Sequence, residues 1–155
     1  MSDLRKDFWN LMCEIAEKDK DVILITGDLG YSFDVEFKKR FPNQYLNAGC
    51  AEQSMVGIAA GMALAGKKPY VYSGTVFLLM RAYEQVRDDV AYNNLNVKLI
   101  GTGASGFLGF THNMGVLENE QDLLKNLPNI RCINAETPER LKIALLLNEP
   151  AFIKI

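Results

Sequence analysis

Short apolar runs alternate with helical patterns along the chain, and this alternation restricts the fold more than any other feature of the sequence. The run Val22-Ile23-Leu24-Ile25-Thr26 has the length of a strand and is almost wholly apolar. Such runs are typical of strands that are covered on both faces in a parallel sheet. Further strands are predicted near residues 45–46, 69–72, 96–101, 130–133 and 151–155.

Helical patterns fill the intervals between the predicted strands. They are predicted at residues 4–15, from Ser32 to the residue before Pro42, at 52–66, 77–92 and 118–126, and from Pro138 onwards. Ser32 is expected to cap the second helix, and Thr137-Pro138-Glu139 combines a cap, a first-position proline and a first-turn acid. The pattern predicts an α/β protein, a single-domain three-layer α/β/α sandwich over residues 1–155 with a mostly parallel sheet.

Length and charge exclude several classes of function. A length of 155 residues corresponds to one domain, and a net charge of −2 gives no electrostatic basis for binding nucleic acid. The small-residue stretch at 54–66 carries no charge and is shorter than a membrane-spanning helix. Cys13, Cys50 and Cys132 are far apart and form neither a zinc motif nor a redox pair. We therefore expect a cytoplasmic protein with reduced thiols, no membrane segment and no metal ligands of its own.

A carboxylate lies at the start of a predicted helix that is rich in small residues. Glu52 opens the helix predicted at 52–66. An acid at this position ordinarily stabilises the positive end of the helix dipole, and this interpretation stays open beside a catalytic one. Gly57, Gly61 and Ala65 recur every four residues. Their spacing indicates close packing, either of the helix on the sheet or against another subunit.

A series of short motifs follows one order along the chain. The motifs are Gly27-Asp28-Leu29, residues 47–55, Lys68-Pro69-Tyr70, residues 81–87, Leu95-Asn96-Val97-Lys98, Thr111-His112 and Leu127-Pro128-Asn129. In type and order they resemble the pyrimidine-binding domain of transketolases and deoxyxylulose-phosphate synthases. The resemblance covers nearly the whole chain, and it implies the thiamine diphosphate-binding fold.

The resemblance implies a site for thiamine diphosphate, in which the protein supplies orientation and proton control. In that family the glutamate that corresponds to Glu52 bonds a ring nitrogen of the aminopyrimidine and favours the tautomer that removes the thiazolium proton. Phe77 corresponds to the ring that stacks on the aminopyrimidine, Tyr83 flanks the same pocket, and Asp28 lies near the cofactor. The alternatives are an ordinary core phenylalanine at 77 and a loop-capping aspartate at 28.

The resemblance also assigns two residues to the substrate. Arg81 corresponds to a residue that binds phosphate, for which the planar guanidinium is suited because it can contact two oxygens at once. His112 corresponds to a residue that contacts hydroxyls or transfers protons, so Glu52 and His112 are the predicted catalytic residues. Without the resemblance, Arg81 would be interpreted as a solvated surface charge. His112 is the only histidine and lies in a glycine-rich loop.

Departures from the family pattern change the expected partners and substrates. Gly27-Asp28-Leu29 is not the Gly-Asp-Gly motif that holds Mg²⁺ and the diphosphate in relatives. The sequence also stops where a pyrimidine domain would end, so we expect a separate diphosphate-binding subunit that holds most of the Mg²⁺ site, in a heterotetramer of two subunit types. Gly103 replaces a histidine of sugar-phosphate transketolases, and an acid before Thr111-His112 is missing. These changes favour a modified or nucleotide-linked sugar, or a 2-keto acid donor.

The predicted function is that of the pyrimidine-binding subunit of a split, transketolase-like enzyme. It would transfer a two-carbon ketol or acyl unit from a ketose or 2-keto acid donor to an aldehyde or ketone acceptor. One alternative is a subunit of a thiamine-dependent decarboxylase or 2-oxoacid dehydrogenase, which the products formed from pyruvate would distinguish. The other is a non-catalytic, flavodoxin-like binding or regulatory domain, which would have no use for the Glu52 carboxylate.

Overall fold

Strands and helices alternate in the structure, a computed structural model that describes residues 3–30, 32–103 and 120–155. The strands are β1 (Val22–Thr26), β2 (Tyr45–Asn47), β3 (Lys68–Gly74), β4 (Lys98–Thr102), β5 (Arg131–Asn134) and β6 (Ala151–Lys154). The α-helices are α1 (Leu4–Lys18), α2 (Asp34–Arg40), α3 (Glu52–Leu64), α4 (Tyr83–Gln85), α5 (Gln121–Leu124) and α6 (Pro138–Leu145). Within these ranges, none of the helices combines the length and the apolar character needed to cross a bilayer.

All strands of the described residues pair in parallel, in the order β2-β1-β3-β4-β6-β5. This confirms the predicted α/β class and the parallel sheet. Thr26 of β1 lies beside Tyr72 of β3, so the carboxyl ends of these two strands meet at one edge. The chain leaves β1 on one side towards β2 and returns on the other side to β3. Crevices at such reversals of strand order are where α/β sheets bind ligands.

Helices cover both faces of the sheet, and each face has its own hydrophobic core. The first core lies beneath α1, α2 and α6 and contains Phe8 and Leu141. The second lies beneath α3, α5 and the segment 77–92 and contains Met55 and Leu79. This arrangement is the predicted three-layer α/β/α sandwich. It leaves the carboxyl edge of the sheet for polar side chains.

The segment between β3 and β4 is not the single regular helix that was predicted over 77–92. It consists of a π-helical turn at Phe77–Arg81, the short helix α4 and a second π-helical stretch at Val86–Tyr92. Its buried side chains include Ala82, Val86 and Val90, four residues apart, together with Leu78, Leu79 and Ala91. Residues four apart share one face of an α-helix and of the slightly wider π-helical turns, so the segment keeps its apolar side chains on the sheet despite the change of helix type.

The two predicted helix caps have different outcomes. Thr137 caps α6 as predicted, since its side chain accepts a hydrogen bond from the backbone N–H of Arg140 at 3.3 Å. The prediction that Ser32 caps the second helix is wrong, because this helix begins only at Asp34. Ser32 has a left-handed backbone with φ of 69°. The Asp34 N–H bonds instead to the carbonyl oxygen of Gly30 at 3.2 Å.

Candidate active site

The candidate site lies where α3 begins, beside the carboxyl ends of β1 and β3. Glu52 is the first residue of α3 and is only 2% exposed. The loop before it is tied to β1, because the Ala48 N–H donates to the Thr26 carbonyl at 2.9 Å. Gly27 permits the close approach of β1 and α3, since a Cβ at this position would lie 2.7 Å from the Met55 sulfur. Backbone contacts therefore hold the acid at the edge of the sheet.

Both oxygens of the Glu52 carboxylate have partners. The hydroxyl of Ser73, a buried residue of β3, donates to Oε1 at 3.1 Å. The guanidinium of Arg81 donates through Nη1 to Oε2 at 2.6 Å. Charge-assisted bonds of this kind are short and strong, and they offset the cost of taking a carboxylate out of water. The buried acid is therefore held in one orientation by a hydroxyl and a cation.

An aromatic ring lies against the same guanidinium. The guanidinium carbon of Arg81 is 4.6 Å from the centroid of the Phe77 ring, within the range of a cation–π contact. The ring also covers Gly74 at the end of β3, where a Cβ would come within 3.0 Å of it. The wide turn Phe77–Arg81 thus presents an aromatic face and a cation beside Glu52.

The remaining predicted site residues have other surroundings. Asp28 is exposed, two residues after the end of β1, in a left-handed conformation with φ of 56°. The Tyr83 hydroxyl donates to the Leu123 carbonyl at 3.0 Å, which joins α4 to α5. His112 lies outside the described residues. The structure therefore brings Glu52 together with Phe77 and Arg81, and it directs the Tyr83 hydroxyl elsewhere.

Sequence reasoning missed two features of this cluster. Ser73 was not singled out, although a polar residue at the end of the apolar run 69–72 is a usable signal for a buried partner. The ion pair between Arg81 and Glu52 was also not predicted. These two residues are 29 positions apart, so only the fold brings them into contact.

The cluster can bind a flat, nitrogen-containing ring. A buried carboxylate can exchange a hydrogen bond or a proton with a ring nitrogen, while an aromatic side chain stacks on the face of the ring. Glu52 and Phe77 supply these two groups, each in contact with the Arg81 guanidinium, and the donor set fits an aminopyrimidine. In the ranges 3–30, 32–103 and 120–155, no three acid, histidine or cysteine side chains gather as they would around a metal ion.

Residues 1–148 match the family described as the transketolase pyrimidine binding domain. The chain belongs to this family. The family is the one that the order of the motifs indicated. Membership brings with it the thiamine diphosphate dependence of transketolases.

Two relatives of this transketolase domain are named as transketolase subunits. An apulose-4-phosphate transketolase subunit of Phocaeicola vulgatus is 34% identical over 159 residues, which cover 97% of this chain and 50% of the relative. The 6-deoxy-6-sulfo-D-fructose transketolase subunit SqwH of a Clostridium species is 31% identical over 160 residues, covering 98% of this chain and 49% of the relative. The chain therefore spans about half the length of these relatives.

A solved structure described as a split gene transketolase, inactive beta4 tetramer, has a closely similar fold. It superimposes on the chain with a TM-score of 0.82 at 28% identity, covering 97% of this chain and 49% of that one. The predicted fold class and the predicted resemblance to split transketolases are confirmed.

Proposed function

We propose that this domain is the pyrimidine-binding part of a split, transketolase-like enzyme that uses thiamine diphosphate. The enzyme transfers a two-carbon ketol or acyl unit from a ketose or 2-keto acid donor to an aldehyde or ketone acceptor, in carbohydrate metabolism in the cytoplasm. The observation that carries the proposal is the Glu52 carboxylate, 2% exposed at the start of α3 and linked through Arg81 to the Phe77 ring. Membership of the family and the split-subunit relatives support it.

The residues of the cluster have distinct roles in this proposal. Glu52 holds the pyrimidine nitrogen and holds or releases a proton at this atom, which makes it a catalytic residue. Ser73 orients the carboxylate by donating to Oε1. Phe77 stacks on the pyrimidine face, and the surrounding burial excludes water from the carboxylate. When bound, thiamine diphosphate supplies the nucleophile that makes or breaks a bond next to a carbonyl.

A second polypeptide completes the proposed site. It binds the diphosphate and supplies most of the ligands of Mg²⁺, because Gly27-Asp28-Leu29 departs from the motif that relatives use for this purpose. Asp28 and Tyr83 flank the cofactor on this side. Two relatives are named as transketolase subunits, which supports an assembly of two subunit types, and we propose a heterotetramer.

The proposed substrate is a sugar that carries an anionic group. Arg81 and His112 face it, with the guanidinium suited to an anion and the imidazole suited to hydroxyls or proton transfer. Relatives are named for apulose 4-phosphate and for 6-deoxy-6-sulfo-D-fructose, a phosphorylated and a sulfonated sugar. These names support a modified sugar over an ordinary pentose phosphate.

The substitution Glu52→Gln tests the proposed function in the complex purified together with its partner subunit. The amide keeps the size of the side chain but cannot hold the proton, so cofactor-dependent turnover should fall about 100-fold or more. Exchange of the thiazolium proton of thiamine diphosphate in D₂O should slow by a similar factor, and this readout needs no known substrate. Glu84→Gln, at an exposed glutamate of α4, is the matched control. Unchanged proton exchange in an intact Glu52→Gln complex would contradict the catalytic assignment.

A further inference from the structure

Arg81 contacts both groups that the proposed function reserves for an aminopyrimidine. Its Nη1 atom lies 2.6 Å from Glu52 Oε2, and its guanidinium carbon lies 4.6 Å from the centroid of the Phe77 ring. A guanidinium is planar and carries N–H donors along its edge. An aminopyrimidine presents the same combination, a flat face with hydrogen-bonding groups at its rim. The chain therefore already supplies, from its own side chain, what the cofactor ring would supply.

The buried Glu52 carboxylate needs a partner in the cofactor-free protein, and the Arg81 guanidinium is this partner. Glu52 is 2% exposed, and the neutral hydroxyl of Ser73 serves only Oε1. A buried carboxylate without a cationic partner is strongly unfavourable. The Arg81 cation meets this need on the Oε2 side.

The guanidinium can also leave without disturbing the core. The Arg81 side chain is 47% exposed, whereas that of Glu52 is 2% exposed, so the cation approaches the acid from the solvent side. Arg81 is the last residue of the π-helical turn, and Ala82 after it departs from helical geometry with φ of −105° and ψ of 20°. A change of side-chain rotamer is sufficient to move the guanidinium into water.

We propose that Arg81 is a placeholder that occupies the pyrimidine position in the cofactor-free protein and is displaced when the cofactor binds. This proposal rests on the proposed function. The apparent Kd for the cofactor is then the intrinsic Kd divided by the fraction of molecules in which Arg81 has left Glu52, so the apparent affinity is lower than the intrinsic one. After displacement, the guanidinium lies at the mouth of the site, where it can bind the anionic group of a substrate.

Cofactor affinity, rather than turnover, tests the displacement. Thiamine diphosphate with Mg²⁺ is titrated calorimetrically into the two-subunit complex that carries Arg81→Ala. We expect the Kd to fall about 3- to 10-fold below that of the parent complex, because the competing side chain is gone. Arg87→Ala removes the same charge from the same segment, at a side chain that is 50% exposed and paired with Asp88 at 2.9 Å. Its Kd should equal that of the parent.

Thermal unfolding supplies a second readout. Without cofactor, Arg81→Ala should lower the Tm more than Arg87→Ala does, because Glu52 loses its cationic partner. Saturating cofactor should bring the Tm of Arg81→Ala closer to that of Arg87→Ala. The cofactor binds the Arg81 variant more tightly and therefore raises its Tm more. If the alanine variant does not fold, Arg81→Gln, which keeps an N–H donor without the charge, replaces it, and its Kd and Tm are compared with those of the parent and of Arg87→Ala.

The possible outcomes separate this proposal from the proposed function. A Kd that is unchanged or higher in the Arg81 variant would overturn the placeholder role and leave the proposed function standing. A parent complex that does not bind thiamine diphosphate at all would overturn the proposed function, and the placeholder role with it.

Discussion

Glu52 and Lys98 are both 2% exposed, but their charges are compensated in different ways. Glu52 is paired with the Arg81 guanidinium. The Lys98 ammonium at the start of β4 donates to two uncharged acceptors, the Asn96 side chain and the Glu149 backbone carbonyl. Burial lowers the pKa of Lys98 to about 8, and the nearby Glu149 carboxylate opposes this shift only in part. The lysine is therefore a residue whose protonation opposes folding.

The contribution of Lys98 to stability should rise with pH through its titration range, opposite in sign to that of Cys132, whose pKa burial raises from 9.0 to about 11. The pKa of Lys98 is about 8 in the folded protein against 10.5 for an ordinary lysine, so between these values the unfolded chain binds more protons. The stabilisation is fully present above the unfolded pKa and is lost as the pH falls to about 8, a difference of at most about 3 kcal/mol. Urea denaturation across this range measures it. Lys98→Met should remove this pH dependence and Lys125→Met, at an exposed lysine, should keep it; an identical slope in both variants would refute the assignment.

The sequence revealed the position of Glu52 but not its partners. An acid before a run of small residues is a local pattern, and the start of α3 followed from it. The contacts from Ser73 and Arg81 depend on how β1 lies beside β3 and on the wide turn that follows β3. Neither property is encoded in the neighbourhood of Glu52, so periodicity and capping rules could not find these contacts.

Among the elements, α3 directs the stripe of Gly57, Gly61 and Ala65 away from the sheet. Its buried face consists of other residues, including Met55 and Ala59. Gly61 is exposed, and a Cβ there would meet nothing within 4 Å. A Cβ at Gly57 would meet only the Asp89 carboxylate, at 3.9 Å. Of the two interpretations that the spacing left open, packing of this stripe on the sheet is therefore wrong for the described residues.

Gly61→Ala should stabilise the isolated chain by about 0.5–1 kcal/mol, because alanine loses less backbone entropy in a helix and no neighbour obstructs the new methyl group. Gly66→Ala is the matched control. A Cβ at Gly66 would likewise meet nothing within 4 Å, but its backbone has φ of 85°. This substitution should destabilise the chain by about 1 kcal/mol. Urea denaturation measures both, and a stabilising Gly66→Ala or a destabilising Gly61→Ala would contradict the expectation.

The segment 77–92 shows where prediction of elements from the sequence reached its limit. Apolar periodicity identified a helical segment that packs on the sheet, and the structure confirms its buried face. The π-helical turns were not predicted from the sequence, because they widen the helix but leave the pattern of buried side chains unchanged. Because residues four apart also share one face of an α-helix, the spacing of Ala82, Val86 and Val90 could not distinguish the two kinds of helix.

At the scale of the whole molecule, the sheet gathers the side chains of the candidate site at one edge. Alternation of strands and helices was sufficient to predict the three layers, because only a covered parallel sheet accommodates strands that are apolar on both faces. The order of the strands was not predicted, because local sequence patterns do not specify the strand beside which each new strand pairs. That order brings the ends of β1 and β3 together and so creates the site.

The chain alone should bind thiamine diphosphate and Mg²⁺ weakly. Lacking at least two charge-assisted hydrogen bonds to the diphosphate, it should have a Kd about 100-fold or more above that of the two-subunit complex. Calorimetric titration of the isolated chain and of the complex measures the difference. Thiamine without the diphosphate should show little difference between the two samples. Tight binding of thiamine diphosphate by the isolated chain would contradict the split site.

The strand order also has a consequence for synthesis on the ribosome. The residues that contact Glu52 come from β3 and the turn after it, so all of them are translated before β4. Until β4 emerges, one side of β3 has no neighbour, because β4 is its partner on that side. Unpaired strand edges associate with other chains. Nascent chains therefore carry an unpaired edge on β3 until β4 emerges, and then an unpaired edge on β4 until β6 emerges at the end of the described chain.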